Sequence, residues 1–362
     1  MKVLVVTGPS GGHIFPAVSF IQTLKEKHSE IDTLLVLPKR GLKPGILPAD
    51  CKINYISTLA INANITTANL LAIFSFLKGS WESLRIILKF KPDLVVGFGS
   101  LDSIPCVFIA WFFRIKTMIH EQNVLPGKAN RLLARFVDRV AVSFAKSQDY
   151  FGISRQKFAL TGNPLRQQIK KIDRNKALDF FGLTKGKFTI LVMGGSQGSR
   201  HINTAFLNAV SKLNNPSLIQ VIHLVGSGGL ESIQDGYKKI NLSAKVFNFL
   251  NNIEQAYSAS DLAISRAGAA TISELIFFEL PAIISPYPFA YAHQSENAKI
   301  LGDKGCAIMI KDNELDSDVL RASLDELVSD RIKLENMRLA FRGLSGPCAS
   351  ELLADAAFSL DK

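Results

Sequence analysis

The sequence predicts an α/β chain of two doubly wound domains facing a cleft, each a parallel sheet with helices on both sides. Three observations carry this reading. Short apolar runs rich in Val, Ile and Leu alternate with longer stretches of helical periodicity along most of the chain, which is the pattern of consecutive βα units. A strand that feeds a glycine turn and then a helix occurs twice, once at the start and once near the middle. The length of 362 residues suits two domains at roughly 100–200 residues each.

Taken in order, residues 3–6 form the first strand, because the apolar run meets Gly8 and Pro9 before any signal-peptide core develops. Residues 34–37, 94–97, 117–120 and 140–142 supply the other strands of the first domain. Glycine and proline in Thr161-Gly162-Asn163-Pro164 interrupt both periodicities and mark the joint, giving a first domain over 1–162. Residues 188–193, 221–224, 246–249, 262–264, 282–285 and 307–310 are the strands of the second, over 163–345. The helical tail, 346–362, has the first domain as a candidate packing partner. Ligands of open parallel sheets sit beyond the carboxyl ends of the strands, so both glycine turns are expected to border one cleft.

A chain that is 47% hydrophobic and 20% charged is globular, not disordered. Its net charge of +11 is uneven: residues 1–162 hold 20 Lys and Arg against 10 Asp and Glu, whereas residues 163–362 hold 22 against 21. The basic excess therefore lies in the first half and predicts an anionic partner there, whether phosphate-bearing substrate, acidic membrane surface or nucleic acid. Cys51, Cys106, Cys306 and Cys348 lie far apart with no C-x-x-C pair, so neither a disulfide framework nor a metal cage is expected. The most apolar stretch, 104–113, is about half the ~20 residues of a spanning helix. Residues 70–90 interleave Leu70, Leu71, Ile73, Phe74, Phe76, Leu77, Trp81, Leu84, Ile86, Ile87, Leu88 and Phe90 with Lys78, Arg85 and Lys89. That composition suits a monotopic membrane contact or, equally, a core-facing helix.

The chemistry-bearing candidates lie at strand ends. Backbone N–H groups in Ser10-Gly11-Gly12-His13 and in Gly194-Gly195-Ser196-Gln197-Gly198 suit a phosphate, helped by the partial positive charge of the following helix start; a tight turn demanded by packing alone is the alternative. Neither is a Walker A loop or a G-x-G-x-x-G turn. His13 is placed to take a proton from a hydroxyl, or is structural. Thr271-x-x-Glu274 fits a capping box, and Glu274 also suits a ribose diol at a strand's edge. His120-Glu121-Gln122-Asn123 either lines the cleft with groups that orient sugar hydroxyls or is a polar loop. Arg166 meets a phosphate or serves as a surface charge.

Six segments in order resemble the MurG family, the peptidoglycan transferases that move N-acetylglucosamine from UDP-GlcNAc to an undecaprenyl-linked muramyl-pentapeptide lipid. They are Ser10 to Ala17, His120 to Asn123, Gly162 to Arg166, Gly194 to Gly198, Arg266 to Glu274, and His293-Gln294 with Asn297-Ala298. The resemblance implies a two-domain glycosyltransferase of the B type, with an N-terminal acceptor and membrane-side domain and a C-terminal UDP-GlcNAc-binding domain. It implies donor contacts from Ser196 and the adjoining glycines near the phosphates, Arg166 near the nucleotide, and Leu250 at the uracil. It further implies Ala269, Ala270, Thr271, Ile272, Ser273 and Glu274 with the carboxylate on ribose, Gln294 and Asn123 on the sugar, Ser10, Gly11 and Gly12 in the first turn, and His13 as base.

The implied reaction is inverting transfer to the muramyl C4 hydroxyl, lipid I to lipid II, with no cofactor and no metal ion. The implied place is the cytoplasmic face of the bacterial inner membrane, held peripherally against anionic lipid, with no nucleic-acid partner; the sequence carries no signal for an oligomeric state. A UDP-GlcNAc epimerase of similar fold and a non-catalytic UDP-sugar-binding protein are the rivals. Three departures from the family pattern stand out. Pro9 precedes Ser10 and removes one N–H from the first turn, Gly97-Phe98-Gly99-Ser100 replaces a Gly-Gly-Tyr segment, and residues 286–291 lack the acidic side chains often found before His-Gln.

Overall fold

The computed structural model describes residues 1–40, 51–58, 67–195, 198–227, 229–289 and 292–360, with backbone alone at 67–73. The chain divides into two compact units, residues 1–166 with 346–362, and residues 167–345.

Unit one is built on a seven-stranded parallel sheet in the order β3-β2-β1-β4-β5-β6-β7. Its strands are β1 (Lys2–Thr7), β2 (Asp32–Pro38), β3 (Lys52–Ile56), β4 (Leu94–Phe98), β5 (Lys116–Glu121), β6 (Arg139–Val142) and β7 (Phe158–Leu160). Alternation on β1 divides the core. Val3 and Val5 face α1 (Gly11–Lys27) and α13 (Ala349–Phe358), and Leu4 and Val6 face the side covered by α2 (Thr67–Phe90), α3 (Ile104–Phe112) and α4 (Lys128–Leu133). A strand buried on both faces must be apolar at successive positions, which is why β1, β2 and β4 read as continuous runs.

Unit two repeats the plan with six parallel strands in the order β10-β9-β8-β11-β12-β13: β8 (Phe188–Met193), β9 (Ile219–Leu224), β10 (Ala244–Phe247), β11 (Leu262–Ser265), β12 (Ala282–Ile284) and β13 (Ala307–Met309). The helices that bear on the site are α6 (Arg200–Val210), α8 (Ile253–Ala259), α9 (Ala269–Phe278) and α10 (His293–Gly302). In both units the chain leaves the first strand toward one edge and returns beside it to continue toward the other, so β1/β4 and β8/β11 are the topological switch points where ligands of such sheets bind.

Two strands, β3 and β7, fall outside the sequence expectation. Both are edge strands with little burial, so neither carries the apolar run that identifies the central ones. The third strand of unit two also begins two residues earlier than expected, at Ala244; Phe249, counted as strand, is an exposed ring beyond its end.

Candidate active site

At the switch point of unit one, β1 runs through Gly8 and Pro9 into Ser10, the N-cap of α1. Ser10 does not cap with its side chain; its Oγ lies 2.7 Å from His13 Nδ1. The turn after β4 closes over the same ring. A Cβ at Gly99, which adopts φ +74°, would come within 3.2 Å of His13 Cδ2 and 3.3 Å of Nε2, and one at Gly8 would collide with Ser100 at 2.5 Å. Glycine at 8 and 99 is therefore demanded by close packing around the histidine. Gly12 is not: a Cβ there would meet nothing nearer than Ser10 Oγ at 3.9 Å. Burial pushes the His13 imidazole down to about 4, against the opposing pull of the Asp102 carboxylate, so the ring is neutral at pH 7.

The polar run at the end of β5 is mostly scaffold. His120, Glu121 and Gln122 are buried, and the Glu121 carboxylate accepts from the N–H groups of Asn123 (2.9 Å) and Gly127 (3.0 Å) and from the side-chain amide of Asn130 (2.9 Å). It thereby folds the β5–α4 loop on itself. His120 holds the Gly162 carbonyl through Nε2 at 3.0 Å, and its burial pushes it down to about 4. The expectation that this whole run lines a ligand site is corrected to Asn123, whose residue surface is partly exposed and whose side chain also bonds Glu121 Oε1 at 3.2 Å. Arg166 stands with its guanidinium 4.9 Å above the Phe15 ring of α1, a cation–π seat two residues beyond His13.

In unit two, Ser196 and Gln197 lie outside the described residues, and the turn is seen from its flanks. A Cβ at Gly194 would sit 2.1 Å from Ser199 N, and one at Gly198, φ +78°, 2.1 Å from the Val225 carbonyl, so packing alone requires both glycines. Ser199 caps α6 by accepting from Ile202 N–H at 3.3 Å. Behind it lies Arg266, a residue the sequence reading placed in a motif without a role. Its buried guanidinium donates to Ser199 Oγ (2.9 Å), to the Ser285 carbonyl (3.1 Å) and to Asp312, and stacks over Tyr287. Burial works against a charged Asp312, yet hydrogen bonds and charge from Arg266 and His201 hold its carboxyl below the usual range. Arg266 thus ties the ends of β8, β11, β12 and β13 into one rim; its partners are up to 67 residues away, so no local pattern announces it.

Helix α9 starts at Ala269 with Gly268 as its N-cap, which removes the capping-box reading of Thr271 and Glu274. Glu274 Oε2 instead accepts from Tyr257 O–H at 2.7 Å. Of the expected donor contacts here, the Ile272 side chain is fully buried with its N–H bonded to the Gly268 carbonyl, while Ser273 is partly exposed and its Oγ donates to the Ala269 carbonyl at 2.9 Å. Ala270 and Thr271 remain partly exposed at the first turn, while Ala269 is buried. Gln294 spends its carbonyl on the backbone, accepting from Ala267 N–H (3.1 Å) and Tyr287 N–H (2.9 Å). Leu250 lies partly exposed beyond β10.

Residues 3–142 match the glycosyltransferase family 28 N-terminal domain and residues 189–351 the family 28 C-terminal domain. The UDP-N-acetylglucosamine--N-acetylmuramyl-(pentapeptide) pyrophosphoryl-undecaprenol N-acetylglucosamine transferase of Desulforamulus reducens is 35% identical over 370 aligned positions, covering 100% of this chain and 98% of the relative. This chain belongs to the MurG family. The crystal structure of Acinetobacter baumannii MurG is 26% identical with a TM-score of 0.80, covering 99% of each chain. A putative UDP-N-acetylglucosamine 2-epimerase from Listeria monocytogenes, 12% identical with a TM-score of 0.68 over 97% of this chain and 94% of its own, shares the fold alone. As a MurG-family chain it is a glycosyltransferase, and the epimerase alternative is not favoured. No helix among the described residues is long and apolar enough to cross a membrane.

Proposed function

We infer that this chain transfers N-acetylglucosamine from UDP-GlcNAc to the C4 hydroxyl of undecaprenyl-pyrophosphoryl-MurNAc-pentapeptide, converting lipid I to lipid II with inversion at the anomeric carbon. The observation that carries the reading is 35% identity along the whole chain to a transferase named for moving N-acetylglucosamine to that lipid-linked acceptor, with His13 at the switch point of the first sheet.

His13 is the general base. With Nδ1–H donating to Ser10 Oγ, the Nε2 lone pair takes the C4 hydroxyl proton as that oxygen bonds to the anomeric carbon and the bond to UDP breaks. Unit two holds the donor: the N-terminus of α6 and the turn before it, including Ser196, receive the diphosphate and stabilise its growing charge. Glu274 holds the ribose, Leu250 meets the uracil, and the first turn of α9 at Ala270 and Thr271 approaches the nucleotide. Gln294 and Asn123 contact the sugar, Arg166 the nucleotide, and the open backbone at Gly12 a phosphate.

The acceptor lipid enters through unit one, on the cytoplasmic face of the inner membrane. Phe74, Leu77 and Trp81 on α2 are 70%, 59% and 61% exposed, and Phe112 on α3 is 71% exposed. Such a cluster beside basic residues favours an anionic bilayer surface over water. Leu70, Leu71 and Ile73 lie where side chains are not described.

Incubation with UDP-[¹⁴C]GlcNAc and lipid-linked muramyl acceptor tests the reaction. Label in the lipid is expected; label in an altered nucleotide sugar means an epimerase, and unchanged UDP-GlcNAc means a binding protein. A folded His13→Ala protein is expected to lose about 10²–10⁴-fold in turnover, the usual contribution of a positioned base. Near-normal turnover removes His13 from the mechanism.

A further inference from the structure

Near His13 lies a charge cluster that the family resemblance does not supply. Asp102 sits in the turn that follows β4, its side chain almost wholly buried. Arg40, just past the end of β2, donates through one nitrogen to both carboxylate oxygens at 2.9 and 3.2 Å. Ser100 Oγ donates to Oδ2 at 2.7 Å. Ser100 itself adopts φ +67°, a conformation costly for a residue with a Cβ and typical of places where a site dictates the backbone. A Cβ at Gly8 would lie 2.5 Å from Ser100 Cβ and 3.3 Å from His13 Nδ1, so Ser100, which holds the carboxylate, is packed close beside the imidazole.

We propose that Asp102, fixed by Arg40 and Ser100, is a positioning residue for transfer: its oriented negative charge stabilises the imidazolium that His13 becomes when it takes the acceptor proton. This rests on the reading of His13 as base and adds to it the group that sets its strength. The reason is electrostatic. Without a nearby anion, the burial that keeps His13 neutral would also oppose the charged form it reaches in the transition state. Asp102 is the charge that acts on the ring, and the Arg40 guanidinium is paired with that carboxylate. The other titratable groups on the packed elements act elsewhere. Glu121 is held by Asn123, Gly127 and Asn130, buried His120 bonds Gly162, Lys39 pairs with Glu82, and Arg166 lies over Phe15.

Opposite charge removals must then move His13 in opposite directions. In full-length protein with ¹³C-labelled histidine, Asp102→Asn is expected to lower the His13 titration and Arg40→Gln to raise it, each on the order of one pH unit. The acid limb of kcat/KM for transfer to lipid-linked muramyl acceptor follows both shifts, and Asp102→Asn loses about tenfold in kcat with little change in KM for UDP-GlcNAc. Asp102→Glu restores part of the loss. Arg40→Gln keeps the measurement readable where acid unfolds Asp102→Asn, since its shift is upward. If both titrations stay where they are or move the same way, the proposal is wrong while His13 can still be the base. If the titrations move as stated and the rate limb does not, the proposal falls together with the assignment of His13.

Discussion

Glu274 takes a hydrogen bond from a buried hydroxyl. Tyr257 is buried, its ring stacks on Phe278 at 4.9 Å between centroids, and its O–H donates to Glu274 Oε2 at 2.7 Å. Replacing Tyr257 by Phe keeps the stacked ring and deletes that donor, so the carboxylate loses one of the groups that orient it. Losing one hydrogen bond to a charged group costs about 1.5–3 kcal/mol, so Tyr257→Phe is expected to weaken UDP binding by about 10–100-fold in isothermal titration, chiefly through KM for UDP-GlcNAc with kcat nearly retained. Unchanged affinity would remove Glu274 from the ribose or Tyr257 from its support. The sequence brings Glu274 forward because it follows a strand by a few residues. Tyr257 is 17 residues upstream on another helix, and Arg266 works through partners on three other segments; contacts made only by tertiary packing leave no periodic trace. The same holds for Asp102 and Arg40, which are separated by 62 residues.

At the scale of elements, the central strands of both sheets and the edges of unit two were legible, and the edges of unit one were not. Leu4 and Val6 face one core and Val3 and Val5 the other, a two-sided burial that writes itself as an unbroken apolar run. Edge strands β3 and β7 touch one neighbour each, so their side chains need not be apolar and the pattern dissolves. Helix α2 shows the opposite difficulty. It is apolar around much of its circumference, and sequence left core and membrane readings open; the structure buries Ile87 at 3% exposure while Trp81 stays at 61%. Because Trp81 and Phe112 contribute little to the core, Trp81→Glu with Phe112→Glu is expected to leave the thermal midpoint within a few degrees. Partitioning onto vesicles containing anionic lipid, measured by sedimentation, is expected to fall by at least tenfold, since two aromatic anchors are replaced by like charges of the surface. Turnover falls with bilayer-embedded acceptor and not with a short-chain, water-dispersed one. Equal vesicle binding by the double variant would show that this face does not meet the membrane.

For the whole molecule, both units repeat one strand order, and both contain imidazoles kept neutral, His120 and His223 buried and His13 half-buried. His13 and His120 in unit one are pushed down to about 4 by burial, and His223 in unit two to about 3. The His223 network shows why a proton is unwelcome. Asn203 Nδ2 donates to the Val225 carbonyl, which turns its Oδ1 toward His223 Nε2–H, and Nδ1 is left to accept from Tyr237 O–H at 2.7 Å. Protonating Nδ1 would turn the Tyr237 hydroxyl from donor to acceptor and leave a charge buried in the core, which desolvation opposes. Each of these histidines regains an ordinary value near 6.5 on unfolding, so between pH 6.5 and about 4 the unfolded chain binds more protons than the native one. Stability therefore rises with pH across that window and is lost on acidification. Urea midpoints are expected to fall from pH 7 to pH 5, above the range where carboxylates titrate, with a slope equivalent to about one to three protons per unfolding event. His223→Gln, which keeps a donor and an acceptor in place, is expected to lower stability at pH 7 yet flatten the slope by about one proton. A wild-type profile that is level from pH 7 to pH 5 would mean that these rings reach water in the native state and that the neutrality assigned to His13 is unsupported.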